Sequence, residues 1–433
     1  MENLYKILED KYGISKEIYD FVDKVEKELK KDFENRKIIS QYNQIKILKA
    51  MQNQKLQSTD FNWTTGYGYG DIGRDKVEDI YADIFNTEDA LVRPNIVSGT
   101  HAISLVLFSL LNYGDKILSI NGDPYDTLQQ VIGIEGNKKG NLLSKGIKYD
   151  KLELKNEQEI QYEKIKNKLD NKTKLVMIQR STGYTNRRAF SISEIEKAII
   201  EIRKINKDVI IFVDNCYGEF TEIKEPIEIG ADIIAGSLIK NLGGGIAITG
   251  GYISGKKDLI EYCANTLTAP GIGKDEGLSF GTNRNVLQGL YFSSKTTIES
   301  IKVALLFAKV FDDLGYEIIP KLDDPRSDIV QAIKLHSSKK LELFAKAIQE
   351  SCSVDSNLTP IADQMPGYED PVIMSSGGFV EGATSELSCD GPLRKPYTVY
   401  LQGGLNKYHG KLALMKVLEK FVDNKILDID LLK

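Results

Sequence analysis

The sequence predicts an α/β fold: a large domain on a mostly parallel sheet, a smaller α+β domain after it, and a helical N-terminal arm before it. Three observations carry this expectation. From about residue 91 to 255, short apolar runs alternate with helical periods, the pattern of a parallel sheet covered by helices on both faces. One long helical pattern, Asn285 to Leu314, could bridge two domains, and mixed strand and helix signals follow it. Residues 1 to about 57 carry apolar residues at three- and four-residue spacing among many Lys and Glu. The arm is therefore placed at 1–60, the large domain at 61–300 and the small domain at 301–433.

The elements follow in chain order. Ile14–Leu29 and Ile38–Met51 read as helices with one apolar face, suited to packing on a partner subunit or on the chain's own core. Gly66, Gly68, Gly70 and Gly73, with Tyr67 and Tyr69 between them, make a loop, and a helix starts near Asp71 or Arg74. Strands are expected at Lys116–Ile120, Lys174–Ile178, Val209–Val213, Ile233–Ala235 and Ile246–Ile253. Helices are expected at His101–Leu111, Asp126–Gly133 and Ser193–Ile205. The small domain should hold helices at Ser327–His336, Lys339–Glu350 and Lys411–Val422, and strands at Val372–Met374, Ser385–Ser388 and Thr398–Leu401.

Composition removes several function classes. Hydrophobic residues at 41% and charged residues at 27% describe a globular chain, and a net charge of −5 offers no basic surplus for nucleic acid or a membrane surface. The longest apolar run, Ala102–Leu111, is far short of the roughly 20 residues a bilayer span needs. The N-terminus, MENLYKILEDKYG, has no apolar signal region. Cys216, Cys263, Cys352 and Cys389 are widely spaced, so reduced thiols in the cytoplasm are expected. With three histidines and no clustered cysteines, no metal site is expected.

Four local signals carry chemistry. In SGTHAI (98–103), Gly99 lets backbone approach a ligand, and free N–H groups at a helix start suit a phosphate; an ordinary cap by Ser98 or Thr100 would look the same. In GDPYDTL (122–128), Tyr125 follows a strand and could stack on a flat heteroaromatic ring, or simply pack in a turn. In VIIFVDNCYGEF (209–220), an apolar strand ends in Asp214. A half-buried acid there asks for a positive partner such as a protonated ring nitrogen, with a helix cap or a metal as the other readings. In ADIIAGSLIKNLGGG (231–245), Lys240 sits between an apolar strand and three glycines, three residues after Ser237. Apolar surroundings should depress its amine and favour a nucleophile.

In this order, and with GYGYGDIGRD, SSGGFVEGA and YTVYLQGGL elsewhere, the chain resembles the fold type I pyridoxal-phosphate enzymes, which are transferase-like in fold. More narrowly it resembles the cystathionine/methionine gamma-lyase group, and within it the bacterial "methionine gamma-lyase family" or "aluminium resistance" proteins. The resemblance covers essentially the whole chain. It implies pyridoxal 5'-phosphate held as a Schiff base on Lys240, Asp214 paired with the pyridine nitrogen, Tyr125 stacked on the ring, and Gly99, Thr100 and Ser237 on the phosphate. It also implies that Tyr67 or Tyr69 reaches the phosphate of a neighbouring subunit. Glycines stand where the lyases carry an arginine two residues after that tyrosine. Ile239 replaces their threonine before the lysine, and His101 replaces a small or apolar residue.

An amino-acid substrate needs its carboxylate held by a forked arginine. Arg394, in DGPLRKPYTVYLQGG, is the first candidate, against a plain surface arginine before a strand; Arg180 and Arg284 are the reserves. The resulting expectation is a carbon–sulfur lyase, a homodimer or homotetramer, performing β- or γ-elimination on a sulfur amino acid. Transamination and a non-catalytic stress protein on the same fold are the alternatives.

Overall fold

A computed structural model describes residues 4–136, 139–366 and 368–432. The chain opens with three helices, α1 (Leu4–Tyr12), α2 (Lys16–Glu28) and α3 (Lys30–Asn53). Contacts divide it into two compact units, one of residues 41–294 with 325–328, the other of 1–40, 295–324 and 329–433.

In the first unit, α4 (Ile72–Phe85) leads into β1 (Asp89–Arg93), α5 (Gly99–Leu110), β2 (Lys116–Ser119), α6 (Asp126–Ile132) and β3 (Lys148–Lys151). The short α7 (Ile165–Lys168) precedes β4 (Thr173–Gln179), α8 (Ile192–Ile205), β5 (Ile210–Asp214), β6 (Ile233–Ser237), β7 (Gly251–Gly255) and α9 (Lys257–Leu267). The seven strands lie in the order β1-β7-β6-β5-β4-β2-β3. β2 to β6 pair in parallel, and β7 runs antiparallel to both β6 and β1. Six strands therefore share one direction, and their carboxyl ends form one edge.

The alternation of side chains along a strand explains why these segments read as unbroken apolar runs. Ile210 and Phe212 enter one core with residues of α5 and α9; Ile211 and Val213 enter a second core with residues of α4 and α8. A strand buried on both faces has no polar side to show.

In the second unit, β8 (Glu317–Ile319), β9 (Val330–Lys334), β10 (Val372–Ser376), β11 (Ser388–Pro392) and β12 (Thr398–Gln402) make an antiparallel sheet ordered β10-β11-β12-β9-β8. The long α10 (Asn283–Asp313) precedes it. Also present are α11 (Ser338–Gln349), which packs on β10 and β11, and α12 (Lys407–Asp423), which packs on α11. Residues 1–40, read above as part of an arm, cluster here. The apolar face of α2, Ile18, Val22 and Val25, is buried, and Lys411 of α12 reaches Asp23 at 2.9 Å and Glu26 at 2.6 Å. Among the described residues, no helix is long and apolar enough to cross a membrane.

Three expectations are corrected. Ser327–His336 is not a helix but contains β9, an inner strand between β12 and β8. Ile329, Val330, Ala332, Ile333 and Leu335 are all buried, and a run buried on both faces satisfies helical spacing by default. The strand expected from Ile246 begins only at Gly251, because Ile246 closes a turn by donating to Gly243 O. The strand expected at Ser385–Ser388 begins at Ser388. β1, β3, β8 and α9 carried no sequence signal strong enough to be expected.

Candidate active site

Strand parity selects the residues at the carboxyl edge. Gln179, Asp214 and Ser237 continue the alternation of Met177, Phe212 and Ala235, all of which enter the core beneath α5. α5 starts on this edge. Its cap Ser98 accepts a hydrogen bond from His101 N at 3.0 Å, which leaves the amides of Gly99 and Thr100 without an intrahelical partner. Gly99 allows a close approach here: a Cβ would stand 3.1 Å from Cys216 Sγ and 3.2 Å from Ser237 Cβ, so that one of them would have to shift. The helix start thus meets the ends of β5 and β6. Ser98 is a cap, as the plain reading had it, and the cap leaves first-turn donors suited to an anion.

Asp214 is 1% exposed. Its Oδ1 accepts from Cys216 N at 3.1 Å, while Oδ2 has no hydrogen-bond partner among the described residues. Burial raises its carboxyl, and the charge of Lys240 and the bond from Cys216 offset this only in part. A buried carboxylate oxygen with nothing to accept costs about 1–3 kcal/mol, more when charged. A cationic N–H would satisfy it.

Lys240 follows β6 by three residues and begins a short 3-10 turn, Asn241–Gly243. Its Nζ lies 3.9 Å from the centre of the Tyr217 ring. Here the sequence expectation is reversed. Burial does depress the amine, but Cys216, Tyr217, Tyr125 and Asp214 around it outweigh burial, and its pKa is raised. The surroundings are polar because the strand ends converge, which an apolar flanking sequence does not show.

Tyr125 donates or accepts with Thr100 Oγ1 at 3.1 Å, and its backbone N–H is held by Gln179 Oε1 at 2.9 Å. Burial raises its phenol, so Tyr125 is a proton donor at neutral pH. Ser237 Oγ accepts from Ile239 N at 3.3 Å. His101 Nδ1 accepts from Val97 N at 3.1 Å, and burial lowers its pKa, which keeps the ring neutral. Lys240, Asp214, Tyr125, Thr100, Gly99 and Ser237 are therefore gathered at one edge of one unit.

The remaining expected residues each have their own surroundings. Arg180 continues the opposite strand parity and is fully buried. Its guanidinium is engaged by Asn215 at 2.9 Å, Thr221 at 3.2 Å, Glu222 at 3.1 Å and Glu225 at 3.4 Å. A substrate carboxylate would have to displace two acids, so Arg180 is a support beneath the Asp214–Phe220 loop. Arg284 stacks its guanidinium 4.6 Å from the Phe61 ring centre. Arg394 is half-exposed and pairs with Asp370 at 3.1 Å. Tyr67 and Tyr69 are 63% and 77% exposed, on a loop that Arg74 Nη1 holds through Gly66 O at 2.8 Å and Gly68 O at 3.2 Å.

Sequence reasoning missed Cys216, Tyr217 and Gln179. Gln179 was within reach, since it stands one residue past a correctly expected strand.

The donor set fits pyridoxal phosphate. Gly99, Thr100 and Ser237 would hold the phosphate, Asp214 Oδ2 the ring N–H, Tyr125 the ring face, and Lys240 the aldehyde carbon.

The chain matches the methionine gamma-lyase family over residues 18–422. It is 44% identical over 390 residues to the uncharacterized protein YnbB of Bacillus subtilis (strain 168), covering 90% of this chain and 93% of that one. Among solved structures it is similar to the carbon-sulfur lyase involved in aluminium resistance from Clostridium novyi NT, with 43% identity, 98% and 100% of the two chains covered, and a TM-score of 0.93. The pyridoxal-5'-phosphate dependent protein YhfS of Escherichia coli, at 15% identity, 89% and 96% coverage and a TM-score of 0.61, shares the fold.

Proposed function

Because the chain belongs to the methionine gamma-lyase family, we propose that it is a pyridoxal-phosphate-dependent carbon–sulfur lyase acting on a sulfur amino acid. The observation that carries this is the unpartnered Asp214 Oδ2 beside Lys240, at the strand edge where α5 begins. Buried acid, lysine and anion cradle have no common use in a plain binding protein.

When bound, the cofactor supplies an electron sink for the charge left on the substrate Cα. The protein does the rest. The first-turn amides of α5, with Thr100 and Ser237, bind the phosphate. Asp214 keeps the ring nitrogen protonated through a charge-assisted hydrogen bond. Lys240 Nζ, once released as the neutral amine, takes the Cα proton as general base. The carbon–sulfur bond then breaks with its electron pair on sulfur, and the Tyr125 phenol can hand that sulfur a proton. Incubation with sulfur amino acids should release a keto acid, ammonia and a thiol or sulfide together; a keto acid formed without sulfur release would sink the lyase reading.

Arg394 is the residue we assign to the substrate carboxylate. Arg394 would exchange one exposed acid, Asp370, for the substrate carboxylate, and a forked pair closed off from water is worth about 2–5 kcal/mol when one partner is truncated. Arg394→Ala should weaken amino-acid binding roughly 30-fold or more while sparing cofactor binding. Arg180→Ala should behave differently and lower stability by about 3–5 kcal/mol, because it strands buried Glu225. Titration with an amino acid and thermal melts of both variants check the pair. The assignment fails if Arg180→Ala, and not Arg394→Ala, loses amino-acid affinity.

The same reading makes the protein a cytoplasmic homodimer or homotetramer. Its four cysteines are buried free thiols. Trp63, Tyr67, Tyr69 and Ile72 are each more than 60% exposed on one stretch of chain, an apolar surface suited to a second copy. Sedimentation should show a single oligomer; a monomer that keeps full cofactor affinity at low concentration refutes this.

A further inference from the structure

The mechanism leaves Tyr217 and Asn241 unused, although both touch the lysine's surroundings. Tyr217 has φ of 68°, a left-handed backbone that a bulky residue adopts only where its neighbours compel it. The compulsion is visible. Asn241, next in sequence to Lys240 and 1% exposed, donates through Nδ2 to both Tyr217 O at 2.8 Å and Glu219 O at 2.9 Å. Gly218 sits between those carbonyls, and a Cβ there would fall 2.4 Å from Arg180 Cδ. The lysine's own turn thus grips the loop after Asp214 from one side, and Arg180 closes it from the other. The result is the Tyr217 ring 3.9 Å from Lys240 Nζ.

We propose that Tyr217 is a positioning residue for Lys240: held by the Asn241 clamp, its ring face seats the Nζ and stabilises it as a cation. This rests on the cofactor reading above. An aromatic face attracts a desolvated cation through its quadrupole. The other titratable groups that Lys240 feels are Cys216, Tyr125, Asp214 and Glu219. Glu219, pushed up to about 8 by burial, takes a hydrogen bond from Tyr252 OH at 2.8 Å and sits behind the loop. The ring contact is separable from these, because a single substitution removes it and leaves every acid in place.

The test is a spectral pH titration of the cofactor-loaded protein, which reads loss of the proton from Lys240 Nζ as a colour change. Peptide mapping after borohydride reduction, run in parallel, shows which lysine carries the label. Tyr217→Phe keeps the ring and should keep the wild-type midpoint. Tyr217→Leu should lower the midpoint by about 0.4–1.5 pH units, the range a cation–π contact spans. Asn241→Ala frees both carbonyls and should lower it as well; should Tyr217→Leu not fold, this variant carries the test. A normal label on Lys240 with the midpoint unmoved in the folded ring-loss and clamp variants overturns the proposal alone. A wild-type protein with no label on Lys240 overturns the cofactor reading and this one with it.

Discussion

Lys240→Ala is expected to abolish both the borohydride-fixed cofactor label and turnover. The wild-type protein should be yellow, and reduction should leave a phosphopyridoxyl group on one peptide, the one containing Lys240. A partly buried lysine amine is costly unless its surroundings answer the charge, and Lys240 is answered by the Asp214 carboxylate and by the Tyr217 ring face. The variant removes the covalent link and the general base together, so the loss of rate should be on the order of 10³-fold or more. It should not remove binding altogether. The Gly99 and Thr100 amides, Ser237 and Asp214 remain, and the variant should still take up cofactor reversibly. A label on another lysine, or substantial turnover by Lys240→Ala, defeats the central claim.

What the sequence made legible follows from where its signals sit. Asp214 and Lys240 were readable because each interrupts or follows a strongly apolar strand, and a charged residue in that place needs a reason. The cap at Ser98 and the glycine at 99 were readable as local chemistry. Arg180 was misjudged because its role turns on strand parity: one residue along from Gln179, it faces away from α5 and into Glu222 and Glu225. The raised amine of Lys240 was misjudged for a related reason. Its neighbours in sequence are apolar, while its neighbours in space are the ends of other strands. Tyr217 and Asn241 were silent because their pairing depends on a left-handed residue and on one side chain spanning two carbonyls. Neither has a one-dimensional signature. β9 was lost to a different ambiguity, since an inner strand of a covered sheet and a buried helix present the same apolar run.

Asp214→Asn is expected to separate cofactor binding from chemistry. In the protein without cofactor, Asp214 carries an oxygen with no partner and a carboxyl that burial raises. The amide replacement keeps the shape but removes the charge that answers Lys240, so the cofactor-free variant should melt somewhat below wild type. Cofactor should still bind through the α5 amides and Lys240, but it should raise the melting temperature less, because the charge-assisted bond to the ring nitrogen is gone. The larger effect is on the Cα proton. A neutral amide does not hold a proton on the ring nitrogen, and without that positive charge the electron pair left on Cα is poorly stabilised. Losing one member of a buried charged pair costs about 3–5 kcal/mol, which corresponds to a fall in exchange rate of roughly 10²- to 5 × 10³-fold. Deuterium uptake from solvent into a bound amino acid measures this directly, with no need for the sulfur leaving group. If uptake proceeds at the wild-type rate in Asp214→Asn, the unpartnered oxygen has some other purpose and Asp214 is not the ring-nitrogen acid.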